Sequence, residues 1–338
     1  MNWLGLDIGG ANIKAATCDG QVISIPFRFW IEHERLQESL SDIISQLAGS
    51  QSVRIAATMT AELTDCFESR RDGVTFIVHA LENACHKRQL QPPLFAGTDL
   101  QFRDADAARI HWLETAASNW AIMATFASRF LPNQTGFVVD MGSTTSDIIP
   151  VHDGSVAAKG KTDSQRLRNG ELVYVGSDRT PVCSVVDSLT FEGNHVPIAR
   201  EFFATISDAM LVCGRTTEDP SDTDTADKRP RTVLAAAQRI ARMVCEDVST
   251  IGLDSAKALA SQILDRVEEI FLDGFRTQQS DPGNFICTGS GVAFVSHILE
   301  KHYPTANITI LGNEVGGEMD SGAPAFATAV LAREKFQA

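Results

Sequence analysis

Leu4 to Gly20 reads LGLDIGGANIKAATCDG, and Gly136 to Gly154 reads GFVVDMGSTTSDIIPVHDG. Each stretch is an apolar strand ending on an aspartate, then a turn of small residues, a second strand and an Asp-Gly step. Short apolar runs bounded by glycine signal strands, and the glycines mark where the chain reverses. The two aspartates, Asp7 and Asp140, lie 133 residues apart. A strand–turn–strand unit repeated at that separation predicts duplicated half-domains facing a cleft.

Outward from these two units, the chain alternates strand and helix signals. Gln21 to Phe29 is expected as a further strand of an antiparallel meander, and Glu34 to Leu47 as a helix with leucine and isoleucine at helical spacing. Val53 to Thr58 reads as a strand, and Phe76 to Ala84 as a strand end running into a helix. A long helix is expected from about Ala105 to Phe130, capped by Asp104. Lys159 to Glu192 is a mixed polar segment carrying short strands. Helical periodicity covers Ala199 to Leu211 and Thr232 to Gly274. Between them, Gly214 to Pro230 (GRTTEDPSDTDTADKRP) is too polar for a core and reads as a surface loop. Gly283 to Thr288 is a strand, followed by Gly289-Ser290-Gly291 and a helix to His302. Ile308 to Leu311 and Ser321 to Arg333 supply a last strand and helix.

The 338 residues are 43% hydrophobic and 21% charged, which predicts two packed lobes and excludes a disordered chain or a disulfide-stapled module. A net charge of −14 weighs against a surface that coats nucleic acid. Seven cysteines form no CxxC pair, which fits a reduced compartment. The opening reaches Asp7 and Gly9 too early for a signal-peptide core, and no uncharged apolar run is long enough for a membrane span. A cytoplasmic protein with no membrane or nucleic-acid partner is expected, with homo-oligomerisation left open.

Three motifs carry chemistry. In the first, Gly9 and Gly10 allow a tight turn whose N–H groups approach phosphate oxygens, and Asn12 donates to the same oxygens. Asp7 at the strand end suits Mg²⁺ or its water shell, and Lys14 suits phosphate charge. In the second, Gly142, Ser143, Thr144 and Thr145 form a hydroxyl-rich turn between Asp140, placed to coordinate the cation or position water, and Asp147, placed to orient the turn or act as a base. In the third, Gly289, Ser290 and Gly291 let a ligand approach a helix N-terminus. Gly154 to Thr162 imitates a Walker loop, but five residues rather than four separate its glycines, so it is not one. The histidines show no metal spacing. Trp112 and Trp120, eight apart, read as packing residues.

The three turns, in this order, resemble the phosphate-1, phosphate-2 and adenosine segments of the actin, Hsp70 and sugar-kinase superfamily. A closer resemblance, to the hydantoinase A/oxoprolinase-like family, rests on Ala57 to Glu68, Val139 to Pro150, Gly170 to Tyr174, Arg179 to Pro181, Asp224 to Pro230 and Arg239 to Met243. Within that family the sequence is most similar to the branch tied to tetrahydromethanopterin-linked one-carbon metabolism, which includes a furan–tyramine condensing enzyme of methanofuran biosynthesis. The resemblance implies an α/β fold: a two-lobed, actin-like (ribonuclease H-like) architecture of duplicated mixed-sheet half-domains around a central cleft. Residues 1–130 would form the first lobe, with the C-terminal helix as a candidate completion. Residues 131–338 would form the second, carrying the polar loop 214–231. One departure is Lys228, where the branch commonly has glycine after Ala-Asp.

The resemblance also implies a reaction. A phenolic amine, γ-glutamyltyramine, displaces diphosphate from an aminomethylfuran diphosphate. Asp7 and Asp140 would organise Mg²⁺, while the glycines and hydroxyls of the turns cradle the leaving group. Glu62, Asp65 and Asp163 are unranked candidates for the base. Arg166 and Arg229 are candidate phosphate contacts, Arg229 from a loop expected to face the cleft. ATP binding is compatible with the turns but not required. Two other classes remain open: an ATP-dependent hydantoinase-like hydrolase or small-molecule kinase, and a non-enzymatic ATP-binding regulator.

Overall fold

The computed structural model describes residues 2–49, 52–278, 283–316 and 322–337. Two six-stranded sheets organise it. In the first, β1 (Asn2–Ile8), β2 (Asn12–Thr17) and β3 (Val22–Pro26) form an antiparallel meander. On the other side of β1 lie β4 (Val53–Met59), which runs parallel to it, then β5 (Leu94–Ala96) and β6 (Phe102–Arg103). The second sheet opens with the hairpin β7 (Gly136–Met141) and β8 (Ser146–His152), edged by β9 (Ser155–Val156) and β10 (Leu172–Val173). A separate hairpin pairs β11 (Ser188–Phe191) with β12 (Asn194–Pro197). The second sheet is completed by β13 (Asn284–Thr288) and β14 (Asn307–Ile310), with β13 parallel to β7. Each lobe therefore places an antiparallel hairpin beside a parallel strand, with helices as cover.

The reason for this arrangement is visible in the burial patterns. Leu4, Leu6 and Ile8 of β1 and Phe137, Val139 and Met141 of β7 are sealed into separate cores. Strands covered on both faces need continuous apolar sequence, which is what both openings supply. The helix Ala323–Gln337 returns to the first sheet and packs on β1, β2 and β4. A Cβ at Gly5 would lie 2.7 Å from the Ala329 nitrogen, so the close approach of helix to strand requires glycine there. Ser321, expected to open this helix, lies outside the described residues.

Several expected elements change form. The long helix from Ala105 is three pieces, Ala105–Ile110, Trp112–Thr115 and Asn119–Ala127, interrupted where Ala117 adopts φ 47°. Asp104 does cap the first piece, accepting from the Ala107 N–H at 2.8 Å. Phe76 to Ala84 contains no strand end and lies wholly inside the helix Arg70–Lys87. The helix expected from Ala199 begins only at Ile206. Helical sequence from Thr232 divides into Val233–Arg242 and Val248–Gln278, the latter kinked at Gly252. A short helix inside the polar segment, Asp163–Arg168, had no apolar stripe to announce it; its Thr162/Gln165 capping box holds its first turn. No described helix is long and apolar enough to cross a membrane.

Candidate functional site

The two hairpin turns are built alike. The Gly9 N–H donates to the Asn12 carbonyl at 3.0 Å, and the Gly142 N–H donates to the Thr145 carbonyl at 2.9 Å. Asp7 stands opposite Lys14 and Asp140 opposite Asp147, so both members keep the same offset. Residues directly opposite on antiparallel strands share a face of the sheet. The repeat thus sets Asp beside Lys in one lobe and Asp beside Asp in the other.

Asp7 is buried at the end of β1, in register with Thr58 of β4, whose hydroxyl lies 3.5 Å from its Oδ1. Burial pushes the Asp7 carboxyl up from its ordinary range; Lys14 and Thr58 oppose that shift and Asp147 adds to it. Beyond β4 the chain crosses the end of β1, with the Thr60 and Ala61 N–H groups both donating to the Ile8 carbonyl. This crossing positions Glu62. The Glu62 backbone lies against Gly73, where a Cβ would come 2.7 Å from the Glu62 Cα.

The third glycine turn locks onto the second. Gly289 has φ 94°, and a Cβ there would collide with Asp140 Oδ1 and approach the Met141 carbonyl carbon to 2.7 Å. The Gly291 N–H donates to the Met141 carbonyl at 2.9 Å, and the Ser290 and Ser177 hydroxyls meet at 2.9 Å. The loop through Ser177 supports the turn from beneath, its Asp178 and Arg179 N–H groups both donating to the Ser143 carbonyl.

Between the lobes these turns border a cavity of about 380 Å³. Asn12, Lys14 and Ser24 line it from the first sheet, and Ser143, Ser177, Ser290 and Gly291 from the second. Its far wall holds Ser207, Met210, Arg215, Thr216 and Arg231. Lys14 and Arg215 bring positive charge to the wall, while the third lining cation, Arg231, is shared between two carboxylates. Arg231 is held by Asp178 at 2.7 Å, by Asp222 at 2.7 Å and by the Ser207 hydroxyl. The Arg179 guanidinium lies 4.4 Å from the Trp30 ring centroid, joining segments that flank the two hairpin turns.

A second polar group lies along the seam between lobes. The Arg166 side chain is only 2% exposed; its guanidinium binds Asp147, lies 3.2 Å from Asp163 and stacks 4.3 Å above Trp120. Burial pushes the Asp147 carboxyl up while Arg166 pulls it down. Glu62 is 1% exposed, with Arg70 at 3.5 Å from Oε1 and no hydrogen-bond partner for Oε2 among the described residues. Burial raises its carboxyl to about 7; its own N–H and Arg70 lower it, and Asp163 of the other lobe raises it.

This has a stability consequence. Above the ordinary value of 4.5 the unfolded Glu62 is ionised, whereas the folded one keeps its proton until about 7. The folded state therefore binds more protons in that window, and its stability falls as pH rises through it. Glu62→Gln should remove this slope, a difference on the order of 3 kcal/mol across the window. Urea midpoints of both proteins between pH 4 and 8 measure it, and parallel curves would contradict the assignment.

The expected residues distribute unevenly. Asn12, Lys14, Ser143, Ser290 and Gly291 reach the cavity wall, while Gly9, Gly10, Gly142, Thr144 and Thr145 build the turns beside it. Asp140 is half-buried at the end of β7, and Gly289 closes upon it. Arg166 is committed to Asp147 and Asp163 and does not line the cavity. Asp65 is exposed, and Arg229 does not line the cavity but lies 3.9 Å from Asp227. The loop cation that does reach the cavity is Arg231, fixed between Pro230 and the cap Thr232 of the following helix. Lys228 is exposed at φ 59°, a left-handed backbone conformation that favours glycine. Arg215, Ser177 and Ser207 carried no motif in sequence; only the fold brings them to the wall.

The hydantoinase/oxoprolinase family model matches residues 54–308. A (4-{4-[2-(gamma-L-glutamylamino)ethyl]phenoxymethyl}furan-2-yl)methanamine synthase of Methanocaldococcus jannaschii is 30% identical over 338 residues, covering 98% of each chain. The synthase of the same description from Methanococcus vannielii is 31% identical over 205 residues, 60% of this chain and 92% of that one. Among solved structures, a nucleotide-free acetone carboxylase, from work on ATP-dependent acetone carboxylation, matches with TM-score 0.53 at 12% identity, over 94% of this chain and 51% of that chain. That likeness speaks for the fold alone, a two-lobed actin-like architecture of the actin, Hsp70 and sugar-kinase type. With the family model matching most of its length and a relative aligned nearly end to end, the chain belongs to the hydantoinase/oxoprolinase family.

Proposed function

We propose that the protein is a Mg²⁺-dependent transferase that joins an aminomethylfuran diphosphate to γ-glutamyltyramine through the phenolic oxygen and releases diphosphate. The observation that carries this reading is the near end-to-end similarity to the M. jannaschii synthase, whose product name contains that phenoxymethyl-furan linkage. The cavity chemistry supports it. Lys14 and Arg215 offer charge to a departing diphosphate, and the hydroxyls of Ser143 and Ser290 offer donors. Small-molecule substrates follow, with no nucleic-acid or membrane surface invoked.

The residues present fit Mg²⁺. Mg²⁺ takes one or two protein carboxylates, with waters and substrate phosphates completing its shell. Asp7 and Asp140 are the candidates, at equivalent strand ends. The buried Asp7, whose ionised form is disfavoured by its surroundings, would be stabilised as a carboxylate by a cation. When bound, Mg²⁺ would neutralise charge on the leaving diphosphate. The turns and wall cations would hold and orient that diphosphate.

The test is diphosphate release by purified protein with both substrates and Mg²⁺. Release that requires the phenolic amine and stops with chelator is expected. Phosphate release from ATP, with none from the furan diphosphate, would replace this reading with an ATP-dependent hydrolase or kinase.

A further inference from the structure

We propose that the phenolic acceptor enters the seam between Glu62 and Asp163, and that Glu62 is the catalytic base that takes its proton. This deepens the transferase reading and rests on it. Three observations lead there. First, Glu62 Oε2 is a shielded acceptor with no hydrogen-bond partner among the described residues, although native chains rarely leave such an atom unsatisfied. A phenol O–H is a donor of the right kind to fill that place. Second, each carboxylate has an exposed apolar side chain close to it in sequence: Leu63, 58% exposed, follows Glu62, and exposed Leu167 lies one helical turn beyond Asp163. Such side chains would offer an aromatic ring apolar surface to cover. Third, the alternatives are poorly placed: Asp65 is exposed, and Asp163 already holds Arg166 at 3.2 Å.

The charged groups facing Glu62 are Arg70, from the helix Arg70–Lys87, and Asp163, from the helix Asp163–Arg168. Arg70 stands at 3.5 Å, too far to quench the carboxylate by a strong ion pair. In the step, the phenol O–H bond breaks and its proton passes to the Glu62 carboxylate. The phenolic oxygen then bonds to the furanylmethyl carbon while the carbon–oxygen bond to diphosphate breaks. The bonding pair leaves with diphosphate, and Glu62 returns its proton to solvent once the product departs.

The experiment compares wild type, Glu62→Gln and Asp163→Asn with two acceptors, γ-glutamyltyramine and a ring-fluorinated analogue whose phenol is more acidic. Glu62→Gln should lower kcat/KM for the ordinary acceptor about 10²- to 10⁴-fold. The loss should shrink at least about tenfold for the fluorinated acceptor, which needs less help to ionise. Wild type should lose kcat/KM as pH falls below about 7. Asp163→Asn, at a half-buried position, should move that limb to lower pH by removing a like charge. An equal loss with both acceptors, or none, would overturn the base assignment while leaving the transferase standing. No coupled product from wild type with either acceptor would overturn the transferase itself.

Discussion

Asp7→Asn is expected to lower the rate of coupling at least about 10³-fold while the protein stays folded, a loss of roughly 4 kcal/mol of transition-state stabilisation. The side chain is buried in register with Thr58, and an amide has the same shape and keeps a hydrogen-bonding oxygen for the Thr58 hydroxyl. What disappears is the negative charge. The fold itself disfavours that charge, since burial raises the Asp7 carboxyl above its ordinary value and Asp147 adds repulsion. Between the ordinary and the raised value the folded state holds the extra proton, so wild type loses stability as pH rises there and the asparagine variant does not. The proposed cation role would account for a buried carboxyl that costs stability at the end of β1. The measurement is paired: coupling rate at saturating Mg²⁺, and urea midpoint at neutral pH. A full-rate Asp7→Asn protein would remove Asp7 from the cation site. A variant that is both inactive and unfolded would instead make Asp7 a structural group.

The second large effect is on stability. Arg166→Met should cost about 3–5 kcal/mol, because it leaves Asp147 buried without its cation. Methionine fills the space and can lie on Trp120, so the loss reports charge more than packing. Asp147 already has its carboxyl raised by burial with Arg166 in place, and removing Arg166 raises it further. The double variant Arg166→Met/Asp147→Asn should recover most of the loss. Thermal or urea unfolding of the single and double variants measures this. If Arg166→Met kept wild-type stability and only raised KM for the diphosphate substrate, Arg166 would be a phosphate contact, the role its sequence position suggested.

Arg166 also marks where sequence reading ran out. The hairpins were legible because each joins an apolar strand to Asp and a small-residue turn, and those signals are local. The structure adds that Asp7/Lys14 and Asp140/Asp147 occupy equivalent registers, which follows from the constant offset. The third glycine turn was legible as a turn, but its lock on Asp140 depends on the parallel pairing of β13 with β7. The cavity wall was not legible. Ser177, Ser207 and Arg215 arrive from separate segments, and only tertiary packing collects them. Arg229 and Arg231 look equivalent in sequence, yet Pro230 and the helix cap after it send only Arg231 to the cavity. Glu62 could be named as one of three candidate bases; its burial and its interaction with Asp163 could not, because that pair joins the two lobes.

The most direct measurement of the central claim is mass spectrometry of the product formed from γ-glutamyltyramine carrying ¹⁸O in its phenol. Attack of the phenolic oxygen on the furanylmethyl carbon predicts a furan–tyramine ether that retains the label, with unlabelled diphosphate released in equal amount. Label in a phosphorylated tyramine, with no ether formed, would show transfer of phosphorus rather than carbon and contradict the account.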